Sequence, residues 1–216
     1  MADKKNTFYK LLSSKDDKDY FETLISYNAA LISARLKPAI TLNISKCGSK
    51  NIYHTWCVYG EEYLGKLNLN FVDLRETEKS IVVLIYDEEL LFKYLYKKEN
   101  ASFLEEIGYP NDFTIEEALS VLKVRYKKYN CPHDLGIFLG YPVDDVKDFM
   151  ECSGKKCLSC GYWKVYNGHE RAETIFKLFD KVKEEAMDNI IKGHDTLLLS
   201  SIIRNKFEEN QKFILS

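Results

Sequence analysis

The chain has 216 residues, 45% of them hydrophobic and 30% charged, with 31 Lys and Arg against 33 Asp and Glu. That length and balance suit a globular fold with a single large core and exclude a disordered or fibrous chain. The charges are interspersed without a basic face, which argues against a nucleic-acid partner, and no apolar run approaches the ~20 residues of a membrane span. The opening Met-Ala-Asp-Lys-Lys is followed by no apolar segment that could act as a signal peptide, so the cytoplasm is the expected compartment, with its thiols reduced.

The first dozen residues are polar and are expected to fray. From Asp16 to Leu36 apolar residues recur at helical spacing until Pro38 ends the pattern. Residues 39–45 alternate as a strand, and Ile52, Trp56, Tyr59 and Tyr63 mark a second helix. Residues 69–74 and 80–86 form a hairpin around Arg75-Glu76-Thr77-Glu78-Lys79. The run Ile81 to Tyr86 is apolar at every position, as in a central strand covered on both faces.

Helices follow over 88–97 and 101–107, and Thr114 with Glu117 reads as a capping box opening a helix to about Lys127. Pro142 with Asp144 and Asp145 reads as a helix entry, and 162–166 as a short aromatic strand. A long helix runs from about Asn167, and a last one covers Asp195 to Glu209. Gly108-Tyr109-Pro110 and Gly140-Tyr141-Pro142 read as one corner used twice. The expected architecture is α+β, a small and at least partly antiparallel sheet of about four strands covered by helices. Residues 1–192 form the domain. The helical extension 193–216, rich in leucine, is a candidate for self-association.

Three kinds of chemistry are conceivable. Imidazole, phenol, indole and ammonium groups converge in sequence at His133, Tyr141, Trp163, Lys164 and Tyr166, and together could grip a small polar ligand or a partner protein. The segment from His133 to Pro142 should then border the largest pocket. Alternation along a strand would send Lys164 to the side opposite Trp163. Asn28, on an apolar helix face, and Lys37, beside Pro38, are further candidates for ligand contact. A second reading is a metal or redox site at Cys152, Cys157 and Cys160, completed by His133 or Cys131. Only one clean Cys-x-x-Cys pair is present where a zinc ribbon has two, so the loop is expected to be metal-free; zinc is the one cofactor the residues admit. A third reading is an enzyme acting through a cysteine or histidine. Glycine-rich phosphate loops, a serine elbow and a metalloprotease helix are absent from the sequence.

The run His133-Asp134-Leu135-Gly136-Ile137-Phe138-Leu139-Gly140-Tyr141-Pro142, with Asp145-Val146, Gly161-Tyr162-Trp163-Lys164-Val165-Tyr166 and the earlier Leu36-Lys37-Pro38-Ala39, resembles an uncharacterised domain-of-unknown-function family of clostridia and their relatives. The likeness runs from about residue 20 to 182 and implies no activity. The chain departs from that family's pattern at Cys131, where an aromatic residue is usual, at Asp134, which replaces a glutamate, and at Ala29-Ala30-Leu31-Ile32.

Overall fold

The computed structural model describes residues 2–151 and 154–211. Its centre is a three-stranded antiparallel sheet of β1 (Ala39–Ser45), β2 (Asn70–Glu76) and β3 (Ser80–Tyr86), in the order β1-β3-β2. The wholly apolar strand β3 is the central one. Successive side chains point to opposite faces. Ile81, Val83 and Ile85 therefore enter one core while Val82 and Leu84 enter another.

The first core is closed by α2 (Asp17–Ser33) and α3 (Ile52–Lys66), whose Phe21, Ile25, Trp56 and Leu64 reach the sheet. The second lies under α4 (Glu88–Leu95), α5 (Lys98–Glu106), α6 (Ile115–Tyr129), α7 (Leu135–Phe138) and α8 (Val143–Glu151). Three of these helices start on side-chain caps. Asp16 accepts from Asp19 N, Asp87 accepts from Leu90 N, and Thr114 and Glu117 cap each other reciprocally.

A third core lies on the far side of α2, against α1 (Ala2–Ser14), α9 (His169–Ile191) and α10 (Thr196–Phe207). It corrects two expectations. The N-terminal residues do not fray, because Phe8 and Leu12, one turn apart, are both buried in this core. The last helix does not stand off the domain either. Leu199, Ile203 and Phe207 are buried against the protein's own α2 and α9, leaving Leu197 and Leu198 as its exposed apolar residues.

The aromatic strand expected at 162–166 does not join the sheet. Only β5 (Lys164–Val165) is extended there, and it pairs with β4 (Ser159–Cys160) in a separate two-stranded hairpin, bringing the strands to five. The aromatics of this stretch pack on a helix: the Trp163 and Phe176 rings are 4.5 Å apart, and a Cβ at Gly161 would stand 2.3 Å from the Phe176 ring.

The two Gly-Tyr-Pro corners share one backbone design. Gly108 and Gly140 have φ of 99° and 79°, and each following tyrosine N–H returns to a carbonyl five residues back, Leu104 and Gly136. This is the helix-ending arrangement that a left-handed glycine permits. No described helix is long and apolar enough to cross a membrane.

Candidate ligand-binding site

The segment after α6 is pinned from below by Asp134, which has no exposed surface. Its carboxylate accepts from Tyr109 Oη at 2.6 Å, Arg125 Nε at 2.8 Å and Arg125 Nη2 at 3.2 Å. This is a buried charge with both a countercharge and a full set of donors, the condition for tolerating it. With Asp134 held down, His133 beside it is left exposed, its ring edge-on to Phe149 at 4.7 Å.

Short α7 then carries the chain to Gly140 and Tyr141, and α8 returns alongside it. Gly136 allows the close approach: a Cβ there would lie 2.8 Å from Val146 and 3.1 Å from the Tyr141 ring. The β4–β5 hairpin closes the third side. Between them lies a cavity of about 270 Å³ with an apolar floor that includes Leu135, Leu139 and Val146.

Four of the residues singled out in the sequence, His133, Tyr141, Trp163 and Lys164, line this one cavity, with Cys131 and Phe149 at its edge. Trp163 and Lys164 share it because Trp163 sits in the turn before β5, where strand alternation has not begun. The expectation that they face opposite ways fails for that reason. The cavity is also not the largest: a neighbouring groove that shares Asp145 and Trp163 with it and is lined by Gly140 and Pro142 holds about 430 Å³, and two grooves elsewhere hold about 610 Å³ each.

Asp145, the one carboxylate on the described cavity wall, is buried and fully occupied. Trp163 Nε1 donates to it at 2.7 Å, and the Tyr166 and Asn167 backbone N–H groups donate at 2.8 Å each. Asn167 Nδ2 adds a fourth bond at 3.2 Å. These donors fix the indole against α8 and lock the hairpin in place. Trp163 in turn stacks on Tyr141, with ring centroids 5.6 Å apart.

Behind Tyr141 stands Lys37, only 7% exposed, with its ammonium 4.9 Å from the centre of the Tyr141 ring. Burial pulls its pKa down to about 8. Lys183 on α9 is half-buried. It donates to the Tyr27 and Asn28 carbonyls at 2.8 and 3.2 Å and lies over the Tyr27 ring. Burial, and then the nearby Lys37 charge, bring its pKa to about 7.

The remaining candidates lie elsewhere. Tyr166 is half-buried and touches the site through its backbone N–H to Asp145, while Asn28 spends its amide on the Leu24 carbonyl of its own helix at 2.8 Å. Cys160 is exposed, and Cys157 donates to the Ser159 carbonyl at 3.0 Å. Cys152 lies outside the described residues. Among the described residues no three His, Cys, Asp or Glu side chains gather where a metal ion could sit. The sequence reading missed Asp134, Asp145 and Lys183. The two acids follow or precede turn residues in the motifs, but nothing local marks them as the ones that turn inward.

The architecture is thus that of an α+β domain with a small apolar cavity beside its second Gly-Tyr-Pro corner. Residues 25–199 match the model of a family described as proteins of unknown function (DUF3793), and the chain belongs to that family. The matched stretch runs into α10, further than the likeness read from the motifs. No curated protein and no solved structure matches the chain.

Proposed function

We propose that the protein is a small-molecule-binding protein whose site is the cavity between α7, α8 and the β4–β5 hairpin. The observation that carries this reading is the meeting of His133, Tyr141, Trp163 and Lys164 around one apolar floor. Two separate stretches of chain supply these side chains, with Asp134 anchoring the first and Asp145 the second. Preformed apolar cavities edged by a few polar groups are the usual form of ligand sites. The volume suits a compact molecule, with its apolar body on Leu135, Leu139 and Val146 and its polar end toward His133 and Lys164.

The test is a fragment screen by ligand-observed NMR, repeated on His133→Trp. His133 is exposed and lines the cavity, so an indole there fills the space without invading the core. Fragments that bind the wild type and are lost from the variant are the expected result. Fragments that bind both equally place the site elsewhere, and the reading fails.

A further inference from the structure

The proposed site leaves one feature unused, which is uncompensated positive charge. Lys37 makes neither a hydrogen bond through its ammonium nor an ion pair among the described residues, although it is nine-tenths buried. Its ammonium lies over the face of Tyr141, a wall of the cavity. Lys183, within electrostatic reach of Lys37, is held by carbonyl oxygens and, among the described residues, by no carboxylate. At the mouth, Lys164 rests 5.0 Å from the centre of the Phe149 ring and has no acidic partner among the described residues. Asp145 makes no ion pair with these cations among the described residues; its oxygens accept four hydrogen bonds from neutral donors, so its negative charge also stands on the cavity wall and the ammonium groups have to outweigh it.

Buried charge without a partner is costly, and proteins that retain it offset the cost with a ligand or with deprotonation. A negative group in the cavity would stand beside the exposed Lys164 and within electrostatic reach of the buried Lys37, which lies over the Tyr141 ring. We infer that the cavity takes a small organic monoanion, an aromatic or branched body bearing one carboxylate, whose charge is balanced by Lys164 at the mouth and by Lys37 behind Tyr141. The inference rests on the cavity being a binding site and adds to it the sign of the ligand's charge. Lys164 is a contact residue in this arrangement, and Lys37 a positioning residue acting through Tyr141.

Benzoate and benzyl alcohol, matched in shape and differing in charge, separate the two ideas by calorimetric titration. Wild type is expected to bind benzoate about tenfold or more tightly than benzyl alcohol. Lys164→Met and Lys37→Met should each weaken benzoate by a larger factor than benzyl alcohol and so reduce that preference, with circular dichroism showing that the variants are folded. If Lys37→Met does not fold, the preference in wild type and its loss in Lys164→Met decide the matter. Equal binding of the two probes by wild type overturns the anion assignment and leaves the cavity reading standing. Binding of neither withdraws both.

Discussion

The two Gly-Tyr-Pro corners turn the chain with the same hydrogen bonds, yet their phenols meet opposite electrostatic settings. Tyr109 is buried and donates to Asp134, whose charge Arg125 balances, so that corner is closed on itself. Tyr141 is half-buried, has no partner for its hydroxyl among the described residues, and borders both the cavity and the Lys37 ammonium, which forms no ion pair among those residues. The contrast separates architecture from function by charge accounting. Where every buried charge is matched within the chain, the cluster serves to hold the fold, and where a cation is left over, something outside the chain can complete it.

The closed corner should be the more sensitive to mutation. Asp134→Ala strands the Arg125 guanidinium and the Tyr109 hydroxyl together, and a loss of about 4 kcal/mol in urea-unfolding free energy is expected. A loss below about 1 kcal/mol would mean that the network contributes little and that the two corners do not differ in kind.

The open corner should instead show itself through pH. Lys183 and Lys37 have folded pKa values near 7 and 8 against an ordinary 10.5, so the folded protein gives up these protons before the unfolded chain does. Below about pH 7 both forms are protonated and these groups give no slope; above it the unfolded chain holds more protons, and stability rises with pH. The rise continues until about pH 10, where the phenols of Tyr94 and Tyr109, pushed up by burial, begin to reverse it. Between about pH 7 and about 9.5 wild type should gain about 2 kcal/mol or more, and Lys183→Met distinctly less. Identical slopes in the two proteins would show that Lys183 is not buried as a charge.

The smallest effects come from the phenols themselves. Tyr109→Phe removes a donor to a buried carboxylate and should cost about 1.5 kcal/mol, whereas Tyr141→Phe should change stability by less than about 0.5 kcal/mol. Equal costs would erase the contrast between the corners.

Much of this was legible in the sequence. The unbroken apolar run of β3, the capping box at Thr114 and the reused glycine corner are local signals, and each produced the element expected. The cavity was legible in part, because His133, Tyr141, Trp163 and Lys164 fall in motifs of unusual composition. What the sequence hid was tertiary. Residues 162–166 have strand composition, but their rings are taken up by Phe176 and Phe179 on α9, so the stretch never reaches the sheet. The leucines of α10 look partnerless in one dimension and are covered by α2 and α9 in three. Lys37 and Lys183 are 146 positions apart and meet only because α9 packs along α2.

The most direct test of the central claim is a map of backbone and indole N–H shifts in isotope-labelled protein titrated with benzoate. The account predicts that the changes concentrate at Cys131 to Gly136, Tyr141, Val146 to Phe149 and Lys164, with the Trp163 indole N–H, held by Asp145, among them. Changes gathered instead at the polar groove beside Arg35 and Arg204, or no changes at all, would contradict it.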